Sequence, residues 1–169
     1  MKYFIKKNKF NLERFYSKEI VPPPKFHGEK FISSDFIENK STSMLSGGLR
    51  LKNIFKSNYE NFPLISVVIP NFDGSKLKLT LDSVLKQKYP NIEIIVIDGG
   101  SNFENISFLK EEYNDEVDYW ISEKDDGIYD AWNKGIKISK GKYIGIINSN
   151  DFYYEKAFNY LLKYINNYP

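Results

Sequence analysis

The run W-I-S-E-K-D-D-G-I-Y-D-A-W-N-K-G-I-K-I-S-K-G-K-Y-I-G-I-I-N-S-N-D-F-Y, residues 120–153, decides the fold. It reads as the end of a buried strand loaded with acid, a helix, a second buried strand and a second polar strand end. Asp125 and Asp126 close the first strand, and Asn150 and Asp151 close the second. In a parallel sheet both pairs emerge along one edge, which is the edge where open α/β sheets bind ligands.

Upstream, Leu64-Ile65-Ser66-Val67-Val68-Ile69-Pro70 is a short apolar run rich in β-branched residues, as expected of a strand buried on both faces of a parallel sheet. It stops at Pro70-Asn71. Ser75 is placed to cap a helix whose Leu77, Leu81, Val84 and Leu85 make one apolar stripe, with Tyr89-Pro90 ending it. A strand over 92–97 then delivers Asp98-Gly99-Gly100-Ser101, where the glycines permit a tight turn and close backbone approach to a ligand. A helix over 105–113 leads to a strand near 119–122. Next come a helix over 127–139, with Gly141 as its C-terminal stop, and a strand over 143–147. Beyond Asp151, Ala157, Phe158, Leu161, Leu162 and Ile165 share one face of a last helix. The order β-α-β-α-β-α-β-α predicts a Rossmann-like, doubly wound, mostly parallel sheet. Right-handed crossovers put every C-terminal strand end on one side.

Residues 1–60 differ in texture. They hold Pro22-Pro23-Pro24, the Ser41-Thr42-Ser43 cluster and Gly47-Gly48, without a sustained period, and read as a partly ordered extension with one short helix over 12–20. The domain boundary is therefore drawn between 1–60 and 61–169. Charge divides the same way: 12 Lys/Arg face 6 Asp/Glu up to residue 60, and 12 face 16 beyond it, giving +6 and −4 within a net +2. The basic leader is read first as a solvated face and otherwise as a peripheral contact with an anionic membrane surface, not as a nucleic-acid site.

Composition excludes several chemistries. Hydrophobic content of 41% and aromatic content of 17% fit a globular domain. With no cysteine there are neither disulfides nor thiolate metal sites, and the single histidine, His27, makes neither a zinc cluster nor a Ser-His relay. Neither G-x-x-x-x-G-K-[ST] nor a dinucleotide fingerprint is present. No apolar run approaches the ~20 residues of a membrane span, and the first ten residues lack the pattern of a signal peptide, so the cytoplasm is the default location. A receiver-like signalling domain needs a lysine late in the sheet, and none is evident.

Four successive strand ends carry Pro70-Asn71, Asp98-Gly99-Gly100, Glu123 with Asp125-Asp126, and Asn148-Ser149-Asn150-Asp151, with Lys124 their one positive residue. Each acid or amide alone could be a helix cap or a turn former. Converging carboxylates repel one another unless a cation or donor-rich ligand compensates, and Mg2+ or Mn2+ bridging a diphosphate meets that need.

These motifs resemble the family 2 glycosyltransferases, of the glycosyltransferase A-type (GT-A) fold. The matching pieces are P-L-I-S-V-V-I-P-N-F from Pro63, L-D-S-V-L-K-Q-K-Y-P-N-I-E-I-I-V-I-D-G-G-S from Leu81, S-E-K-D-D-G-I-Y-D-A-W-N-K-G from Ser122 and G-K-Y-I-G-I-I-N-S-N-D from Gly141. Gly47-Gly48-Leu49-Arg50 resembles the lead-in of some members. The resemblance implies an enzyme moving a sugar, with inversion, from a nucleotide-diphospho-sugar, usually a UDP-sugar, to an acceptor hydroxyl. A glycan or lipid-linked acceptor in polysaccharide or lipopolysaccharide synthesis, at the inner face of the membrane, fits that class. It further implies that Pro70, Asn71 and Asp98, with Gly99, line the nucleoside pocket, that Asp126 and Asn133 lie near ribose and diphosphate, and that Asn150 and Asp151 stand at the metal-binding acidic motif. The family usually has aspartate at Asn150, and an amide is a weaker ligand for a hard cation, which leaves Asp151 as the charged one.

Members continue into an acceptor-binding half that supplies a catalytic base, and no residue here matches it. The expectation is a C-terminally incomplete donor-binding domain, with an exposed sheet edge that invites a partner chain. A catalytically inactive module that keeps the fold is the alternative.

Overall fold

A computed structural model describes residues 4–18, 45–73 and 76–167. His27, the triple proline, the Ser41-Thr42-Ser43 cluster and Ser75 lie outside the described residues.

The described chain opens with an antiparallel hairpin of β1 (Phe4–Lys7) and β2 (Glu13–Tyr16). The helix expected over 12–20 is corrected there. Glu13, Arg14, Phe15 and Tyr16 alternate sides of a strand, and the Arg14 guanidinium donates to the backbone carbonyls of Leu85 and Gln87, which a solvated helix would not reach.

Among the described residues one five-stranded sheet follows. Its strands are β3 (Leu45–Gly47), β4 (Ile65–Asn71), β5 (Ile92–Asp98), β6 (Tyr119–Ser122) and β7 (Tyr143–Ile146), in the order β3-β6-β5-β4-β7. β4, β5, β6 and β7 are parallel, as their crossover pattern requires, and only β3 runs antiparallel, against β6. All seven residues of β4 and all seven of β5 are buried, which explains their nearly unbroken apolar sequence.

Helices cover both faces. α1 (Leu77–Leu85) and α2 (Phe103–Glu112) pack with Ile92, Ile94 and Val96. α3 (Ile128–Ile138) lies over Ile95, Ile97 and Ile121. Successive β5 side chains thus feed opposite cores, the doubly wound arrangement. The α1 stripe of Leu77, Leu81, Val84 and Leu85 is wholly buried, and each such side chain contributes about 1.5–3 kcal/mol. α3 approaches β4 at Gly135, where a Cβ would lie 2.2 Å from Val68 Cγ1.

Pro70, near the end of a central strand, breaks no ladder. Its carbonyl faces the β7 side and accepts from Ser149, while β7 itself stops at Ile146, opposite Val68.

Three other expectations are corrected. α3 ends at Ile138 with Ser139 extended, so Gly141 is not its stop. Gly141 instead passes so close to β4 that a Cβ would lie 2.6 Å from the Ser66 nitrogen, and its N–H donates to Ser66 Oγ. In α4 (Ala157–Asn167), Phe158 is buried but Leu161 turns outward. The boundary at residue 61 does not coincide with the edge of the sheet, because β3 is itself one of the sheet's strands and the 3-10 turn Leu49–Lys52 follows it directly. Arg50 pairs with Glu93 at 2.5 Å and Lys56 with Asp118 at 2.8 Å, both pairs buried. Sequence texture did not show this, since short polar segments carry little periodicity. β7 is the outer strand among the described residues, with Ile146 exposed.

Candidate functional site

Register places Asn71 beside Asp98 on the neighbouring strand, and Asp98 beside Ser122 on the next. The three make one lateral row at the carboxyl ends of β4, β5 and β6. Asp98 is wholly buried, yet its carboxylate is not bare. Oδ1 accepts from Asn71 Nδ2 and from Ser101 Oγ (2.6 Å), and Oδ2 accepts from Ser122 Oγ (2.6 Å), the Ser101 amide (2.8 Å) and the Gly100 amide (3.2 Å). Five donors satisfy both carboxylate oxygens where bulk water cannot. Asp98 therefore organises the Gly99-Gly100-Ser101 turn, which also reaches back to β4 when Ser101 Oγ accepts from the Asp73 amide (2.7 Å).

Asp125 stands directly over this turn. A Cβ on Gly99 would lie 2.9 Å from Asp125 Oδ2, so glycine is what lets the carboxylate settle against the backbone. Its Oδ1 accepts from the Gly127 amide at the start of α3 (2.9 Å). The adjacent Asp126, chosen from the sequence, is exposed, and its amide donates to Asp130. Asn133 is exposed on α3.

The fourth strand end joins the row through Pro70, whose carbonyl accepts from the Ser149 amide (3.3 Å). Asn150 and Asp151 are exposed, and Asn150 holds a left-handed backbone, φ 84°. The structure thus brings together Pro70, Asn71, Asp98, Gly99 and the 148–151 segment. No described hydrogen bond or ion pair joins Asp126, Asn133 or the Asp151 carboxylate to that row.

The electrostatics differ from the bare acidic edge expected. Lys134 of α3 pairs with Glu123 at 2.9 Å and with Asp130 at 3.1 Å. Partial burial works against its charge, but the two carboxylates outweigh it and raise its pKa. The hydrogen bond from Lys134 in turn lowers the pKa of Asp130. Helical spacing from Asp130 to Lys134 carried that signal in the sequence. Among the described residues no group of three or more acids or histidines is arranged to hold a metal.

Two features escaped the sequence reading. Phe72, immediately after Asn71, is 75% exposed and offers an aromatic face beside the row. Asn71 Oδ1 is buried and accepts no hydrogen bond from any described residue. Two concavities lie elsewhere: one of ≈ 200 Å³ between β3 and α2, and one of ≈ 550 Å³ beside α1 and residues 152–155. Neither is lined by Asn71, Asp98 or Asp125, so their size is no guide to the polar row.

An α/β sheet of this order, with its polar residues gathered at the carboxyl strand ends, is a GT-A-type fold. The family model for glycosyl transferase family 2 matches residues 66–169, and the chain belongs to that family. An uncharacterised glycosyltransferase of Rickettsia prowazekii is 36% identical over 105 residues, covering 62% of this chain and 32% of that protein. The chondroitin synthase of Escherichia coli is 32% identical over 103 residues, covering 60% of this chain and 15% of the synthase. Among solved structures, S. aureus TarS residues 1–349 in complex with UDP-GlcNAc superposes with a TM-score of 0.54 at 20% identity, over 62% of this chain and 31% of that one. The chain thus spans about a third or less of these relatives. No described helix is long and apolar enough to cross a membrane.

Proposed function

We propose that the chain binds a nucleotide-diphospho-sugar, most simply a UDP-sugar, at the carboxyl ends of β4, β5 and β6. It does so as the donor-binding part of a glycosyltransferase that builds a polysaccharide. The observation that carries this reading is the row Asn71–Asp98–Ser122 with Asp125 set over Gly99. The buried, unengaged Asn71 Oδ1 is an acceptor suited to a ligand N–H, since a buried polar atom without a partner is costly. Phe72 supplies a ring on which a nucleobase can stack. TarS, of the same fold, was solved with UDP-GlcNAc, and the chondroitin synthase is named for a polysaccharide product, which makes UDP-sugars the first ligands to try.

In this reading Asp98 holds the turn while Asn71, Phe72 and Asp125 meet the nucleoside. Residues 148–151 then face the diphosphate. Magnesium is commonly held by one or two carboxylates together with substrate phosphates, and Asp151, with Asn150 as a neutral neighbour, fits that donor set. Mg2+ or Mn2+ held there would offset the diphosphate charge as the sugar leaves. Asp126 and Asn133, exposed on the α3 side, are assigned to the diphosphate end.

Calorimetric titration with UDP, with and without Mn2+, and with ADP as the control base tests the proposal. Binding of UDP that Mn2+ strengthens supports it. A flat titration with UDP and UDP-GlcNAc in both buffers refutes it.

A further inference from the structure

One face of α1 is polar. Thr80 and Ser83 on α1, and Gln87 two residues beyond its end, are spaced i, i+3 and i+7, and all three side chains turn to the segment that follows β7. Thr80 Oγ1, fully buried, accepts from the Asn150 amide (2.9 Å) and lies 2.8 Å from the Asp151 carbonyl, to which it donates. Ser83 Oγ accepts from the Tyr153 amide (3.1 Å) and gives its proton to the Thr80 carbonyl. Gln87 Nε2 donates to the Tyr154 carbonyl (2.8 Å), and Gln87 Oε1 accepts from the Phe158 amide (3.3 Å). Five backbone groups between residues 150 and 158 are thus held by three side chains of α1 and the residues just after it, roughly 70 positions earlier.

Satisfying an irregular buried backbone explains why polar groups are needed. It does not explain why the tightest pair of contacts, a hydroxyl both accepting and donating, falls on Asn150-Asp151. There Asn150 holds a left-handed φ of 84°, a conformation that asparagine tolerates better than most side chains and that leaves the tip dependent on its backbone partners for a single arrangement. Thr80 imposes it. We infer that Thr80, with Ser83 and Gln87 behind it, is a positioning residue that fixes the Asn150-Asp151 tip in the geometry that receives the donor diphosphate and its cation. The inference rests on the donor-site reading above.

Thr80→Val keeps the shape of the side chain and removes both contacts, and Thr80→Ser restores the hydroxyl. Hydrogen exchange on the ligand-free full chain reads the tip directly. Asn150 amide exchange is expected to quicken about tenfold in Thr80→Val and to stay near the unaltered rate in Thr80→Ser. Titration with UDP then reads the function. In Thr80→Val the strengthening of UDP binding by MnCl2 should fall by about tenfold while binding without MnCl2 holds, and Thr80→Ser should behave as the unaltered chain. A merely structural role would lower thermal stability and both affinities together.

Unchanged Asn150 exchange in Thr80→Val overturns the positioning role. Faster exchange with the Mn2+ increment intact overturns its link to the donor. If the unaltered chain binds no UDP while the exchange result holds, the donor-site reading has failed and takes that link with it.

Discussion

Exchanging Asp98 for asparagine removes one charge and almost no volume, so its effect isolates what the carboxylate does. The new amide nitrogen is best accommodated on the Oδ1 side. There Asn71 can turn its own amide over and present the oxygen that no described residue engages. The three donors at Oδ2, namely the Gly100 and Ser101 amides and Ser122 Oγ, keep their geometry but meet a neutral oxygen. A hydrogen bond to a charged group contributes about 1.5–3 kcal/mol net against about 1 for a neutral pair, so three weakened bonds cost about 3 kcal/mol. In a chain of this size that lowers the unfolding midpoint by about 6–12 °C. Urea unfolding with an unchanged m-value measures the loss, because an altered m-value would mean that compactness had changed instead. Asp98→Ala, which leaves all five donors without an acceptor, is expected to lose more. An Asp98→Asn protein within about 1 kcal/mol of the unaltered chain would refute the role of this carboxylate as organiser of the strand-end turn.

Other perturbations separate the scaffold from the site. Glu93→Gln leaves the buried Arg50 guanidinium without its counter-charge and is expected to cost about 3–5 kcal/mol in urea unfolding, with UDP affinity retained in the folded fraction. Phe72→Ala should do the reverse, weakening UDP by about tenfold in calorimetry with stability unchanged, since the ring is exposed and base stacking contributes about 1–3 kcal/mol. Burial pushes the Lys140 ammonium down to about 8, with Arg50 adding to the effect. Between that value and the ordinary lysine range the unfolded chain binds the extra proton, so stability should rise with pH from about 8 to about 10. Lys140→Met should flatten that rise in thermal melts taken at intervals across the window.

The parallel sheet was legible because β4 and β5 are buried along their whole length and so are written as continuous apolar runs, and because helical stripes such as Leu77-Leu81-Val84-Leu85 intervene. β3 was not legible: three residues, Leu-Ser-Gly, have no period, and they are held by an antiparallel ladder with β6, more than 70 positions later, which is visible only in three dimensions. The polar strand ends could be read from order alone, but the choice between Asp125 and Asp126 could not. Which of two consecutive acids turns towards Gly99 is set by the backbone entering α3. The Thr80-Ser83-Gln87 set was present in the sequence as polar residues at i, i+3 and i+7 beside an apolar stripe, and its meaning came from where the chain returns after β7.

Assigned amide NMR spectra of the full chain titrated with UDP and Mg2+ address the strand-end site most directly. Shifts are expected at Asn71, Phe72, Gly99, Gly100, Ser101 and Asp125 and across residues 148–151, with the far end of the sheet around Ser66 and Glu93 unmoved. Shifts confined to the cavity between β3 and α2, at Leu51, Phe103 and Lys110, or no shifts at all, would contradict a donor site at the carboxyl ends of the strands.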